Sequence, residues 1–173
     1  MTHFEANADI LKLCIRLAEE ALEAGDDPFG SVLVDSSGKI LQQDRNRVAT
    51  GRNGDGTADA TLHPEFTLAV WAQQHLSPEE RVQTTVYTSG EHCAMCSAAH
   101  AYCGLGRIVY ISSTAQYHAW REEVGLTSGK VRPLAISDVA PGITVQGPVA
   151  GLDEEVKELH RRKWLGSTDT GPS

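Results

Sequence analysis

Two short stretches decide how the rest of the sequence is interpreted: TLHPEF at residues 61–66 and SGEHCAMCSAAHAYCG at residues 89–104. Between them they supply an imidazole from His63 and thiols from Cys93 and Cys96, the donor types that Zn²⁺ takes at tetrahedral sites. Three protein ligands leave the fourth position open to water, as in catalytic zinc sites, whereas four protein ligands close a structural site. The two stretches therefore predict a catalytic metal site.

Glu65 stands two positions beyond His63, where a carboxylate can act as a base beside the metal. Cys96 follows Cys93 by three residues, so both thiols face one centre if Cys93 opens a helix. A helix N-terminus or a nearby metal also favours the thiolate, the form that binds zinc. We predict that Glu65 is the catalytic acid/base and that the other three residues are the zinc ligands.

The pattern H-x-E followed by C-x-x-C resembles the signature of the zinc-dependent cytidine deaminase superfamily, with its CMP/dCMP-type deaminase domain. The resemblance covers most of the chain. The segments DDPFGSVLVD, DRNRV, DATLHPE, VYTSGEHCAMCSAA and GLGRIVY look like those of the branch that holds guanine, cytosine and tRNA adenosine deaminases. It implies an α/β fold, a three-layer α/β/α sandwich with a five-stranded mixed sheet. Two positions depart from the family: Pro64 replaces the usual Ala, and His92 replaces the usual Pro before the first Cys.

The resemblance also implies residues that contact the substrate. Asn46 matches the family Asn that leans over the pocket after the second strand, while Phe29 and Gly30 match a segment whose backbone lines the pocket floor. The alternatives are an Asn that satisfies a turn and simple packing of a loop on a strand. Glu91 matches an acidic residue before the Cys motif, which an exposed carboxylate at a helix start would explain equally well.

An aromatic cluster at residues 117–120 follows the strand after the zinc helix, where this family often forms a pocket wall. Tyr117 and Trp120 could stack on a flat base, or pack in the core. His92 adds an imidazole near the metal and could give the substrate a further polar contact.

The remaining cysteines and histidines are interpreted as structural. Cys14 lies on the apolar stripe of the first helix, and His100 and Cys103 are read as packed side chains, although either could supply a fourth ligand. Three histidines belong to no motif of candidate metal ligands or catalytic residues and are predicted to lie on the surface: His3, His75 and His160.

The composition predicts a single soluble domain. The chain has 173 residues, 40% of them hydrophobic and 22% charged, and we expect one deaminase domain over 1–165 with a flexible C-terminal tail at 166–173. No apolar run approaches the roughly 20 residues of a membrane helix. Four cysteines, two of them in C-x-x-C, suggest metal-binding thiols in a reducing compartment, so we expect the cytoplasm. The net charge of −8 argues against nucleic acid as a partner and favours a small substrate.

Hydrophobic periodicity predicts the order of elements. The link over 47–62 is rich in Gly, Thr, Asn and Asp, and long loops of this kind tend to be functional. Helices are predicted over 5–24, 63–75, 93–102, 114–124 and 152–164, and strands over 31–34, 40–44, 84–88 and 107–111, with further short strands over 134–136 and 143–145.

These residues, with the resemblance, predict zinc-dependent hydrolytic deamination of a free aminated nucleobase or nucleoside, with release of ammonia. Guanine-like purines rank first and cytosine or cytidine second, because guanine-type enzymes share the P-F-G run, the Asn at position 46 and the E-x-C-x-M-C spacing. Two alternatives stay open: a tRNA adenosine deaminase, and a catalytically silent, zinc-stabilised binding module. The resemblance alone implies a homodimer.

Overall fold

The computed structural model describes residues 5–127 and 129–166. Its strands are β1 (Gly30–Val34), β2 (Ile40–Arg45), β3 (Thr85–Gly90), β4 (Arg107–Ser112) and β5 (Val145–Gln146). Its helices are α1 (Ala8–Ala24), α2 (Pro64–His75), α3 (Pro78–Arg81), α4 (Ala94–Cys103), α5 (Thr114–Glu123), α6 (Ile136–Val139) and α7 (Leu152–Gly166). The strands form one sheet in the order β2-β1-β3-β4-β5. β1 pairs antiparallel with β2 and β3, whereas β3–β4 and β4–β5 are parallel, so the sheet is mixed as predicted.

Helices cover both faces of this sheet. Val32 and Val34 of β1 pack on one face with α1, α5 and α7, while Leu33 and Val86 pack on the other with α2, α4 and α6. Successive side chains of a strand point to opposite faces, and all of Gly30–Val34 is buried, as expected for a strand covered on both sides. The structure is the three-layer α/β/α sandwich that the resemblance implies.

The first helix is fixed at both ends by its local sequence. The side chain of Asn7 caps α1 by accepting hydrogen bonds from the backbone amides of Asp9 and Ile10. The helix ends at Gly25, whose φ of 95° lies in the left-handed region that favours glycine. Gly30 then lets α1 approach β1, since a Cβ there would lie 2.5 Å from the backbone oxygen of Cys14.

The crossover β3–α4–β4 decides where the functional residues meet. β3 and β4 are parallel, so their carboxyl ends lie at one edge of the sheet, and α4 and α5 both begin at that edge. Ligand sites of open α/β sheets lie outside such carboxyl ends. The start of α2 lies beside the start of α4, so the two motif stretches come together there.

Predictions for the C-terminal third were partly wrong. The strand predicted over 134–136 does not form, because Ile136 instead begins the short helix α6 and is buried beside α4. Periodicity cannot distinguish helix from strand in so short an apolar run. The second predicted strand is displaced to Val145–Gln146, which pairs with β4.

Three further predictions concern the surface histidines, the C-terminal tail and membrane-spanning helices. His160 was predicted at the surface, but it is 1% exposed, whereas His75 is exposed as predicted. His3 and positions 167–173 of the predicted tail lie outside the described residues, and Gly166 is the last residue of α7. Among the described helices, none has the length and apolar character needed to cross a membrane.

Candidate active site and metal centre

Three donor atoms converge where α2 and α4 begin. His63 is the N-cap of α2, Cys93 is the N-cap of α4, and Cys96 lies in the first turn of α4. Nδ1 of His63 is 3.7 Å from the Sγ atom of each cysteine, and the two Sγ atoms are 3.5 Å apart. Tetrahedral zinc with bonds of about 2.3 Å to sulfur and about 2.0–2.1 Å to nitrogen separates such donors by roughly 3.5–3.8 Å. The donor set and its spacing therefore fit zinc with one position left open.

The two thiols of this centre differ in acidity. The contact with Cys96 and, after it, the contact with the His63 imidazole together lower the pKa of Cys93 to about 4. The same thiol–thiol contact, together with burial, raises the pKa of Cys96 well above its ordinary value. The pair thus shares one proton, which a bound cation would displace because zinc binds thiolates.

The Glu65 carboxyl lies directly beside the donors. Its Oε2 atom is 3.5 Å from Sγ of Cys96, and the residue is 5% exposed. On the other side Oε1 accepts hydrogen bonds from the hydroxyls of Thr88 at 3.0 Å and Ser31 at 3.3 Å. Burial raises the pKa of Glu65, which brings its proton exchange closer to neutral pH, where a general acid/base is most effective. Sequence reasoning missed the two hydroxyls, whose only signal is their inward position on β1 and β3.

A cavity of ≈ 330 Å³ opens over this centre, at the small end of the roughly 300–1,000 Å³ of small-molecule sites. Besides His63, Glu65 and Cys93, four of the predicted site residues line it: Phe29, Asn46, Glu91 and Tyr117. Sequence reasoning missed the wall formed by Arg121 and by residues 129–134. These positions carry no motif, and only the fold brings that segment back over α4.

Asn46 is held by its own turn. Its Oδ1 atom accepts a hydrogen bond from the backbone amide of Val48 at 3.0 Å, and its backbone amide donates to the carbonyl of Phe29 at 2.9 Å. Because Oδ1 accepts the hydrogen bond from Val48, the other atom of the side-chain amide is the Nδ2 donor. Nδ2 has no hydrogen-bond partner among the described residues. The turn interpretation of Asn46 is therefore correct, and it leaves a donor beside the cavity.

Glu91 is tied to the backbone on both of its oxygens. Oε2 accepts the amide of Thr114 at 2.7 Å, and Oε1 accepts the amide of Ile136 at 2.9 Å. These are first-turn amides of α5 and α6, which have no partner within their own helices. The carboxylate lines the cavity, but its hydrogen bonds serve to join the zinc-binding segment to two neighbouring walls.

Three predicted substrate residues lie away from the cavity lining. His92 is 0% exposed and packs edge-on against His100, with ring centroids 5.3 Å apart. Trp120 packs in the core on the α1 side of the sheet. Gly30 is buried under α1, and its amide donates to Oγ of Ser89 at 3.1 Å. We therefore leave these three out of the substrate pocket proposed below.

The pocket wall formed by Phe29 and Tyr117 rests on a buried histidine. The ring centroid of His160 is 4.9 Å from that of Phe29 and 5.0 Å from that of Tyr117. Its Nε2 atom has no hydrogen-bond partner within the described part of the chain. Burial, and then the charge of Arg121, lowers the pKa of His160 to about 3, so the ring is neutral at physiological pH.

Comparison with known proteins agrees with this site. Residues 5–112 match the family described as the cytidine and deoxycytidylate deaminase zinc-binding region, and this span holds the three donors and Glu65. The chain therefore belongs to that family of deaminases.

Named relatives act on several substrates. A probable cytosine deaminase of Schizosaccharomyces pombe is 29% identical over 168 residues, which is 94% of each chain. Guanine deaminase of Bacillus subtilis is 36% identical over 90 residues, 51% of this chain and 53% of that protein. A tRNA-specific adenosine deaminase of Haemophilus influenzae is 25% identical over 109 residues, 63% of this chain and 60% of that protein.

The fold also matches solved structures of deaminases. A guanine deaminase from Nitrosomonas europaea superimposes with a TM-score of 0.68 at 22% identity, covering 92% of this chain and 85% of that one. Likeness at this identity establishes the fold, and the substrate has to be argued from the cavity.

Proposed function

We propose that the protein is a zinc-dependent deaminase that hydrolyses the exocyclic C–N bond of a small aminated heterocycle, a nucleobase or nucleoside, and releases ammonia. The observation that carries this proposal is the position of Glu65, which is buried beside three zinc-type donors on the floor of a ligand-sized cavity. His63, Cys93 and Cys96 would hold the zinc ion, which would supply Lewis-acid activation of a water molecule.

Glu65 handles the protons of this reaction. Its carboxylate takes a proton from the attacking water, delivers it to the ring nitrogen, and passes the next one to the departing amine. The hydroxyls of Thr88 and Ser31 hold the carboxylate on its Oε1 side, so Oε2 is left facing the centre. An acid/base group of this kind typically contributes about 10²–10⁴-fold to the rate.

The cavity walls suit a flat ring. Phe29 and Tyr117 lie with centroids 5.6 Å apart and planes tilted by 55°, so they offer an aromatic surface to the substrate. Asn46, whose backbone is hydrogen-bonded to that of Phe29, lines the cavity, and its Nδ2 donor can bind a carbonyl oxygen or ring nitrogen of the substrate. These three residues would orient the ring while Glu65 acts on its C–N bond.

The ranking of guanine-like purines before cytosine rests on the resemblance, since the named relatives include deaminases of both bases. The cavity adds little to it, because Glu122 and Glu123, the carboxylates that follow the aromatic cluster, do not line it. Glu123 is paired with Lys157 at 2.9 Å instead.

The two alternatives make different demands on the site. A silent zinc-stabilised module has no use for a buried acid/base, so the position of Glu65 argues against it. A tRNA adenosine deaminase needs a surface that follows a phosphate backbone, and the net charge of −8 does not favour one. A homodimer and a cytoplasmic location remain our expectations from the resemblance and the cysteine content.

Ammonia release by the zinc-loaded protein tests the proposal. The panel comprises guanine, guanosine, adenine, cytosine, cytidine and several aminated non-nucleobase heterocycles, with inosine formation in tRNA measured separately. We expect one small substrate to exceed the others in kcat/KM, by up to about 10⁴–10⁵-fold where its polar groups are read. Silence across the small-molecule panel would contradict the proposal.

A further inference from the structure

Asp26, just after the end of α1, is a carboxylate buried outside the cavity, with 1% of its surface exposed. Its Oδ1 atom accepts the backbone amides of Ala49 at 2.7 Å and Thr50 at 3.0 Å. Its Oδ2 atom accepts hydrogen bonds from the Thr50 hydroxyl at 2.7 Å and from Nη1 of Arg45 at 2.9 Å. Burial opposes the charge, but the hydrogen bonds from Thr50, Arg45 and Ala49 outweigh it and lower the pKa of Asp26. One carboxylate thus fastens the start of the long loop 47–62 to the end of α1.

The same network holds Asn46, which lines the cavity. Nη1 of Arg45 donates to the carbonyl of Asn46 at 2.8 Å as well as to Asp26. After Asp26 the chain continues to Phe29, whose carbonyl accepts the backbone amide of Asn46 at 2.9 Å. The Oδ1 atom of Asn46 accepts the amide of Val48, inside the fastened segment, at 3.0 Å. Both the backbone and the side chain of Asn46 are therefore fixed by contacts that depend on Asp26.

The long loop closes on itself and brings its two ends together. The amide of Arg47 donates to the carbonyl of Leu62 at 3.1 Å, and the amide of Asp59 donates to the carbonyl of Val48 at 2.9 Å. Compact loops whose ends lie close together are often functional. The far end of this loop leads directly into His63, so the loop sets the substrate donor beside the metal centre.

We propose that Asp26 is a positioning residue of the substrate pocket: it fastens the long loop 47–62 so that the Nδ2 donor of Asn46 meets the heterocycle. The proposal rests on the deaminase function and gives the long loop a part in substrate binding. Neither Asp26 nor Arg45 belongs to the described lining of the cavity. An effect of either residue on substrate affinity therefore has to pass through side chains that do line it.

Asp26→Asn tests this by a split between KM and kcat. The asparagine keeps an oxygen for the two loop amides but turns an NH₂ group toward Nη1 of Arg45. We expect KM for the preferred substrate to rise by on the order of 3- to 10-fold, the value of one weakened hydrogen bond. The value of kcat per bound zinc should stay near that of the wild type, because the hydroxyls of Thr88 and Ser31 hold Glu65 separately. A merely structural role would instead lower apparent kcat and zinc content together at an unchanged KM.

Further variants show whether the effect passes through Asn46. Asn46→Asp removes the Nδ2 donor, so adding Asp26→Asn to it should raise KM by no more than about 2-fold further. Arg45→Gln removes the guanidinium that joins Asp26 to Asn46 and should raise KM in the same way, which keeps the test open if Asp26→Asn does not fold. Asn7→Ala removes the N-cap of α1 and should lower the unfolding midpoint without changing KM.

Three results would overturn the positioning role: an unchanged KM in the folded variants of Asp26 and Arg45, an equal rise of KM in Asn7→Ala, or increases that multiply in the double variant. If the wild type deaminates no heterocycle of the panel, the deaminase function fails separately. Calorimetric Kd values for the same compounds on the zinc-loaded protein then take the place of KM. A weaker Kd in Asp26→Asn but not in Asn7→Ala supports the positioning role, and equal Kd values or no binding overturn it.

Discussion

The carboxylate of Glu91 accepts the backbone amide of Thr114 at 2.7 Å, so one side chain joins the segment that carries the zinc ligand Cys93 to the helix that carries the aromatic pocket wall. Its second oxygen accepts the amide of Ile136 at 2.9 Å. Two helix N-termini are thus held at a fixed distance from the metal centre.

Replacing Glu91 by Gln should loosen this arrangement. One amide keeps its acceptor, but the other faces an NH₂ group and loses its hydrogen bond, at a cost of about 1–3 kcal/mol. Urea unfolding should show a lower midpoint, and KM should rise while zinc content stays unchanged. Glu122→Gln, at an exposed position on α5, is the control. An unchanged midpoint and KM would show that Glu91 does not position the wall.

The cysteines give a matched test of the metal centre. Cys93→Ser and Cys96→Ser each remove a thiolate that the donor set requires, so zinc content should fall from about one per chain to near zero. Cys103→Ser changes a cysteine of the same helix that is not part of the donor cluster and should retain the metal. Full zinc retention in both ligand variants would refute the assignment.

Asn46→Asp separates the two roles of this side chain. The aspartate keeps an oxygen for the Val48 amide but lacks the Nδ2 donor, so the turn should survive while substrate binding weakens. We expect kcat/KM to fall by on the order of 10-fold or more, with the thermal midpoint changed little. Unaltered kinetics would show that the Nδ2 donor does not contact the substrate.

His160 should make the protein sensitive to mild acid. Its pKa is about 3 in the folded state against 6.5 for the ordinary side chain, so the unfolded chain binds the proton first as pH falls below about 6.5. Stability is lost in that window by up to about 1.4 kcal/mol per pH unit. His160→Phe should lose less of its unfolding free energy between pH 7 and pH 5 than the wild type. His75→Phe, at an exposed site, should follow the wild type, and equal pH dependence for all three proteins would contradict this account.

The sequence predicts the metal centre well because its chemistry lies in two short stretches. The thiols of Cys93 and Cys96 are three positions apart and face one centre once a helix starts there. The first four strands and the long helices also follow from periodicity, since a buried strand such as Gly30–Val34 needs an apolar run whatever surrounds it.

The cavity walls could not be predicted in the same way, because they depend on long-range packing. Arg121 and residues 129–134 line the cavity because the chain turns back over α4 after α5, and no local pattern encodes that path. His160 appeared isolated in sequence, yet it packs against Phe29, 131 positions earlier, at a centroid distance of 4.9 Å. Glu91 matched a substrate residue by position, and its partners proved to be backbone amides.

The most direct test of the central claim is turnover and zinc content measured together in Glu65→Gln. Glutamine fills the same space beside Cys96 but cannot carry the proton, so kcat on the preferred substrate should fall by at least about 10²–10⁴-fold. Zinc should stay near one per chain, and Glu23→Gln, an exposed control on α1, should match the wild type in both. Near-normal turnover by Glu65→Gln with zinc bound would contradict the proposed mechanism.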